Sequence, residues 1–124
     1  MSGSINMLTV DIGNKSLDAL WKRANAISDN ISNSDTPGYQ VKTVSFENQL
    51  KSALADNSIS ANELSSINPT VNVSDAVLSS DGNGVDIEQQ MVELTRNQLQ
   101  YSYLERALTD NLALLKSAAS EGRK

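Results

Sequence analysis

An apolar residue recurs at alternating steps of four and three positions along the last third of the chain, and this repeat constrains the fold more than any other feature. It predicts a single helix at about 86–119, roughly 50 Å long at ~1.5 Å per residue. Asp86 is a suitable N-cap, with Gln89 three residues later in the capping-box position. Two repeat positions are polar, and we expect them to set register or to meet a third partner. The repeat positions are Ile87, Met91, Leu94, Gln98, Tyr101, Glu105, Leu108, Leu112 and Leu115.

A shorter repeat with the same steps lies near the beginning of the chain and predicts a helix at about 11–32. Short polar residues follow from position 30 onward, and their side chains compete for backbone hydrogen bonds. Pro37 ends the helix, because proline lacks an N–H group and disfavours the helical conformation at the residue before it. The apolar positions are Leu17, Leu20, Ala24, Ile27 and Ile31, with Trp21 beside them.

The middle of the chain has no comparable repeat. Residues 40–46 are rich in β-branched side chains and are expected to be extended, and Ser45 is expected to cap a short helix that follows. Residues 55–84 contain no aromatic side chain and many Ser and Asn residues, so burial would not offset the entropy lost on ordering them. We therefore predict a loop or arm there, ordered only by contact with a partner.

Together these segments predict an all-α fold, in which two long terminal helices pair as a coiled-coil-like hairpin around an irregular, partly extended middle segment. A pair of helices buries one stripe on each and is marginal alone, so we expect the ends to be disordered until assembly and the apolar seam to be shared with other subunits. A purely intramolecular hairpin is the simpler alternative. The expected parts of this single domain are 1–10 (mobile), 11–33 (helix), 34–54 (turn and connector), 55–84 (loop or arm), 85–119 (helix) and 120–124 (tail).

The composition excludes several classes of function. The chain contains no Cys and no His, which removes disulfides, thiolate nucleophiles, His-based acid–base catalysis and most zinc sites. A net charge of −5 disfavours nucleic-acid binding, which requires a basic face. The chain begins without a Sec-type signal, and no stretch approaches the ~18 apolar residues of a membrane span. We therefore expect no enzymatic activity, no cofactor and no metal.

Acidic residues around 81–88 raise the possibility of a calcium loop. The spacing does not match an EF-hand, because Val85 and Asp86 occupy the fifth and sixth positions, where that loop requires an oxygen ligand and a glycine. A turn followed by a helix cap is the better interpretation of this segment.

The string NISNSDTPGY at 30–39 resembles the N-terminal motif of the flagellar axial (rod and hook) protein family, in which a helix ends in N-I-x-N-x-x-T-P-G-Y/F. Two further segments, 81–86 and 97–101, together with the short chain, are similar to the proximal-rod type of this family. The resemblance implies a structural turn formed by Asn30, Asn33, Asp35, Thr36, Pro37, Gly38 and Tyr39.

The same resemblance implies a structural, non-enzymatic subunit of the proximal rod of the flagellar basal body. It implies export in unfolded form by the flagellar type III apparatus without a cleaved signal peptide. Assembly would follow in the periplasm, with both terminal helices in the inner layer of a hollow, torque-transmitting tube. The implied partners are copies of the chain itself, other flagellar rod proteins, the rod–ring junction protein FliE and the export apparatus.

Two alternatives fit some of the same features. A helical adaptor or secretion chaperone would present its seam to a partner helix and would show the same heptads. Another proximal-rod protein of the same family would carry the same turn motif. A dimer of fixed stoichiometry would favour the adaptor, whereas open-ended or partner-dependent assembly would favour the rod subunit.

Overall fold

The computed structural model describes residues 2–55, 61–74 and 84–121, and for residues 2–7 and 61 it describes the backbone alone. Residues 81–83 of the turn predicted at 81–84, residues 56–60 and 75–80 of the predicted arm, and residues 122–124 of the predicted tail lie outside the described residues. Within the described ranges, no helix combines the length and the apolar character that crossing a bilayer requires. The elements in chain order are α1 (Ser2–Ser32), β1 (Lys42–Ser45), α2 (Glu47–Ala55), α3 (Ala61–Ser65), β2 (Thr70–Val73) and α4 (Ile87–Glu121).

The two terminal helices pack against each other, which confirms the predicted hairpin. Helix α4 begins directly after Asp86, whose Oδ1 accepts a hydrogen bond from the Gln89 N–H at 3.2 Å, as expected of an N-cap. Helix α1 begins at Ser2, well before the expected position near 11. Val10 is buried and Leu8 is half-buried, so the apolar stripe of α1 continues toward its N-terminus. The mobility of residues 1–10 in the free subunit stays a prediction.

The stripe of α4 that faces α1 follows a heptad register that differs from the predicted one at every second position. Four predicted positions, Leu94, Tyr101, Leu108 and Leu115, belong to it. At the alternate positions, the residue that faces α1 comes one position earlier in the chain than the predicted residue. These residues are Gln90, Asn97, Leu104 and Asn111, and three of the four are polar. We call this set the pairing stripe; its members are Gln90, Leu94, Asn97, Tyr101, Leu104, Leu108, Asn111 and Leu115.

The two helices approach each other closely where Gly13 of α1 meets Leu108 of α4. A Cβ atom built on Gly13 would overlap Cδ2 of Leu108 and would lie 2.8 Å from its Cγ and 2.9 Å from its Cδ1. Because the whole isobutyl group of Leu108 is in contact, a larger residue at position 13 would force the helices apart.

The middle of the chain is more ordered than the predicted loop. Strands β1 and β2 pair antiparallel, with Lys42 opposite Val73 and Ser45 opposite Thr70. The extended conformation predicted for 40–46 is confirmed by β1, but β2 and α3 fall inside the segment predicted as a loop. The expected cap at Ser45 is wrong: Ser45 ends β1, its Oγ accepts a hydrogen bond from Asn72 Nδ2 at 3.0 Å, and α2 begins only at Glu47.

A small apolar core lies where the connector crosses the helical hairpin. Ala19, Leu20 and Phe46 form a buried cluster, and Tyr101 and Leu104 of α4 pack against it. Helix α3 and the residues that follow it also pack against α1, and Leu64 and Ile67 of this segment are buried. Lys15 fixes this segment, because its Nζ donates to the carbonyl oxygens of Ser65 and Ile67 at 3.4 and 3.1 Å. The core therefore depends on one Phe, which agrees with the low aromatic content of the chain.

Candidate functional site

The chain reverses direction after α1 through two successive turns. The Thr36 N–H donates to the carbonyl oxygen of Asn33 at 3.0 Å, and the Tyr39 N–H donates to that of Thr36 at 3.2 Å. In the second turn Pro37 and Gly38 are the central residues, and Gly38 has φ = 76°. A β-turn with proline first and a positive-φ residue second is of type II, which favours glycine at the second position. This geometry explains why the motif contains Pro and Gly in this order.

The first turn is held by the side chain of Asn33. Its Nδ2 donates to the carbonyl oxygen of Asp29 at 2.9 Å, and its Oδ1 accepts a hydrogen bond from Thr36 Oγ1 at 3.1 Å. The same carbonyl oxygen also accepts a hydrogen bond from the Asn33 N–H at 3.0 Å, so the main chain and the side chain of Asn33 together hold the last turn of α1. Asp35 lies exposed on the outside of this turn.

Asn30 is the centre of the site and is fully buried, with 0 % of its surface exposed. Its Nδ2 donates to the carbonyl oxygen of Lys42 at 2.8 Å and to Oε1 of Gln90 at 2.9 Å. Its Oδ1 accepts hydrogen bonds from the hydroxyl group of Tyr39 at 3.0 Å and from the Lys42 N–H at 2.9 Å. All four hydrogen-bonding positions of the amide are thus used. We call Asn30, Tyr39, Lys42 and Gln90 the Asn30 cluster.

The Asn30 cluster joins three separate parts of the chain: the end of α1, the beginning of β1 and the first turn of α4. Burial raises the pKa of the Tyr39 hydroxyl group above its ordinary value, an effect that the charge of Lys42 opposes and that of Asp29 increases. Tyr39 therefore stays neutral and able to donate to Asn30 at any physiological pH. The groups that bond to Asn30 are a hydroxyl group, a side-chain amide and the main chain of Lys42, and such a fully paired set can specify one arrangement of the segments that it joins.

Asn97 provides a second polar contact within the pairing stripe. It is 3 % exposed, and its Nδ2 donates to the carbonyl oxygen of Leu20 in α1 at 2.8 Å. Its Oδ1 is buried and has no hydrogen-bonding partner among the described residues. A single buried Asn in a coiled-coil seam reduces stability but selects one register. Asn97 and Gln90 therefore fix how far α4 is displaced along α1.

Arg23 attaches the connector to the middle of α1. Its Nε and Nη2 donate to the carbonyl oxygen of Val44 at 3.1 and 2.6 Å. Its Nη2 also lies 2.6 Å from Oε1 of Glu47, and the guanidinium carbon is 5.1 Å from the centre of the Phe46 ring. One side chain thus holds the end of β1, the start of α2 and the aromatic ring of the core.

We expect the contact between Arg23 and Glu47 to make the protein sensitive to acid. Burial acts to raise the pKa of Glu47, but hydrogen bonds from the Glu47 and Phe46 N–H groups and from Arg23 outweigh it, so the pKa lies below 4.5. A carboxyl group with a depressed folded-state pKa stabilises the fold at pH above its unfolded pKa, and this contribution is lost as the pH falls through the folded pKa. Glu47→Gln should therefore unfold at a lower urea concentration than the wild type at pH 7, with the two midpoints converging as the pH falls through the pKa of Glu47 in the folded state.

Midpoints measured by circular dichroism between pH 7 and pH 3 test this expectation, with the exposed Glu105→Gln as the control for loss of one carboxylate. A difference between Glu47→Gln and the wild type that stays constant over this range would contradict it. The effect at pH 7 should be modest, because the Glu47 side chain is 56 % exposed and solvent screens the pair.

The structure distributes the residues predicted for the site over several environments. The motif residues Asn30 and Tyr39 are brought together, as are Asn33 and Thr36, whereas Asp35, Pro37 and Gly38 lie on the surface. Of the predicted seam, Leu20, Ile27 and Leu108 are buried, and Leu17, Ala24, Ile31, Leu94, Tyr101 and Leu115 are half-buried. The remaining seam residues are largely exposed: Trp21 (63 %), Ile87 (46 %), Met91 (52 %) and Leu112 (50 %).

The sequence pattern did not predict Gln90 and Asn97 as seam residues. It assigned the seam to Met91, which is more apolar than Gln90, and to Gln98, which continues the steps of four and three. Gln98 and Glu105, the two polar residues assigned to the seam, are exposed. A signal for the observed register was present in the spacing of polar residues, since Gln90, Asn97 and Asn111 are separated by whole heptads. Amides at such a spacing indicate hydrogen bonds across a seam.

Comparison with known proteins points to the same part of the chain. The family described as "Flagella basal body rod protein" matches residues 15–40, which comprise the second half of α1 and both turns. The chain is 32 % identical over 112 residues to the flagellar basal body rod protein FlgB of Borrelia hermsii, covering 77 % of this chain and 83 % of the relative. It is 30 % identical over 105 residues to FlgB of Bacillus subtilis (strain 168), covering 78 % and 81 %. FlgB of Aeromonas hydrophila is 36 % identical over 90 residues, covering 64 % and 68 %.

Proposed function

The chain belongs to the family of flagellar basal body rod proteins of the FlgB type, and from this we infer that it is a structural subunit of the proximal part of the flagellar rod. The observation that carries the inference is the likeness to FlgB proteins over most of the chain and most of each relative. The role is structural, in agreement with a sequence that contains no His and no Cys. Its location is the rod of the flagellar basal body.

The geometry supports a part that must stay rigid under load. The family match at 15–40 includes the buried Asn30 and the two turns that fix the return of the chain. Buried hydrogen bonds join this return to the first turn of α4, and the pairing stripe joins the rest of the two helices. A subunit with these connections resists rotation of one helix about the other, which is the property that transmission of torque requires.

Assembly with other rod subunits is supported by the apolar side chains that the single chain leaves exposed. We propose that Trp21, Ile87, Met91 and Leu112, the exposed part of the predicted seam, contact neighbouring rod subunits, while the rest of that seam holds α1 and α4 together. The motif residues Asn30, Asn33, Asp35, Thr36, Pro37, Gly38 and Tyr39 have a structural role in this proposal, which is to fix the turn that precedes the connector.

The more specific parts of the proposal rest on membership of the family. These are export by the flagellar type III apparatus without a cleaved signal peptide, assembly in the periplasm, and contacts with the junction protein FliE and the export apparatus. The small core favours export in unfolded form, because a core with one Phe is opened at low cost.

Electron microscopy of basal bodies from cells that lack this gene tests the proposed function. Inner rings without a rod are expected, and expression of the wild-type chain should restore the rod. Complete rods in the deletion strain would overturn the proposal. A partner recovered at fixed stoichiometry would then support the alternative of a helical adaptor or secretion chaperone.

A further inference from the structure

Helix α4 carries a second apolar stripe on the side opposite to the pairing stripe. We call it the outer stripe; it consists of Val92, Leu99, Tyr103 and Leu114, which are 58, 68, 79 and 67 % exposed. The separations of seven, four and eleven residues are close to whole numbers of helical turns, so the four side chains lie in one line. At ~1.5 Å per residue the stripe is about 33 Å long. Large exposed apolar side chains that share one face of a helix indicate an interaction site.

The outer stripe has a symmetric arrangement about Tyr103. Val92 and Leu114 are each eleven residues from Tyr103, one on either side. Arg96 and Asp110 are each seven residues from it, again on opposite sides, and both are exposed. Turning the helix end to end therefore exchanges Val92 with Leu114, leaves Tyr103 in place, and exchanges Arg96 with Asp110.

This arrangement decides which partner fits the stripe. If a second α4 runs in the opposite direction, Val92 of one helix faces Leu114 of the other, and Arg96 faces Asp110. Each of these two pairs is formed twice, and Tyr103 faces Tyr103 once, at the centre. Leu99 then faces position 107, occupied by a small Ala107, beside the aliphatic stem of Arg106. A parallel copy in register would instead oppose Arg96 to Arg96 and Asp110 to Asp110, which is unfavourable. The apolar residues can be matched in either direction, so it is the two charges that select an antiparallel copy of the same helix.

We propose that the free subunit forms a two-fold symmetric dimer through antiparallel contact of the outer stripes of two α4 helices. The dimer goes beyond the role in the rod, because it concerns the subunit before assembly. A two-fold interface uses the same patch on both subunits and is closed, so it cannot propagate. Covering the outer stripe in this way holds free subunits in a soluble form that does not polymerise through this face.

Single-cysteine variants test the direction of the contact, since the chain has no Cys of its own. In purified protein under mild oxidation, Tyr103→Cys should form a disulfide-linked dimer in high yield. Val92→Cys mixed with Leu114→Cys should form the mixed dimer, and neither variant alone should form its own. Self-linking of Val92→Cys without the mixed product would show a parallel contact and overturn the proposal. A wild-type protein that sediments as a monomer at 100 times the concentration used for cross-linking would also overturn it.

Charge reversal tests the pairing itself. Arg96→Asp and Asp110→Arg should each weaken the dimer at least tenfold in sedimentation equilibrium, and the double variant should recover most of the wild-type affinity. Asp18→Arg, on the exposed side of α1, is the matched control and should have no effect. A double variant as weak as the single ones would contradict the proposed pairing. That result would leave the assignment to the rod untouched, because the deletion experiment tests it separately.

Discussion

Asn30→Asp is expected to destabilise the fold by about 3–4 kcal/mol, although it changes the shape of the side chain very little. A carboxylate cannot donate to the carbonyl oxygen of Lys42, which lies 2.8 Å from the present Nδ2. Gln90 can rotate its amide to donate instead, but the main-chain carbonyl of Lys42 has no such alternative. The substitution therefore leaves a buried charge facing a buried acceptor in a position with no exposure to water.

Urea unfolding followed by circular dichroism measures this effect, with Asn25→Asp on the exposed face of α1 as the matched control. The same chemical change at position 25 should cost less than about 0.5 kcal/mol. Stability of Asn30→Asp should increase as the pH is lowered from 7 to 5, because a buried carboxyl group has a raised pKa and its protonated form can donate one hydrogen bond. Equal stability of the two variants would show that the Asn30 cluster does not hold the fold.

Leu108→Asp is expected to separate the two long helices, with a loss of about 4–5 kcal/mol. Leu108 is 6 % exposed and fits against the Cα of Gly13, where the introduced carboxylate would have no partner. Leu112→Asp is the matched control: it lies four residues away on the same helix, and Leu112 is 50 % exposed. The control should cost less than about 1 kcal/mol in the free subunit.

The comparison of these two variants distinguishes the observed register from the one that apolar periodicity predicts, because that pattern assigns both residues to the seam. A comparable loss for Leu112→Asp would favour the predicted register. In cells, Leu108→Asp should be exported but should not build rods, and its recovery from the periplasm of cells whose rings lack a rod would show both. Rods built from this variant would contradict a role for the helical pair in assembly.

The helical hairpin was predictable because its signals are local. The apolar steps located both helices, Pro37 and Gly38 marked the end of the first, and Asp86 capped the second as expected. The register of α4 was not predictable from apolar residues, since Met91 and Leu112 are more apolar than Gln90 and Asn111. What decides between them is the amide of Asn30 and the carbonyl of Leu20, both distant in sequence.

Strand β2 illustrates a second limit of the sequence. All four of its residues are exposed, so no alternation of burial marks it, and its order depends on main-chain hydrogen bonds with β1. Likewise, the position of α3 depends on Lys15, whose Nζ reaches carbonyl oxygens about fifty residues away. Interactions that use main-chain acceptors leave no trace in the type of residue that provides the carbonyl.

The position of Gln90 in the Asn30 cluster has a consequence for the timing of folding. The part of the cluster formed with Lys42 closes a segment of 12 residues, which takes on the order of 100 ns once that segment is available. Gln90 lies 60 residues after Asn30, and a ribosome needs roughly 3–12 s to add that many. During that interval the first half of a nascent chain can form the turn after α1, but it cannot form the hydrogen bond between Asn30 and Gln90. The Asn30 cluster is thus completed only when the last quarter of the chain emerges. An unfinished subunit therefore stays in an incompletely folded form, which is the form that export of an unfolded chain requires.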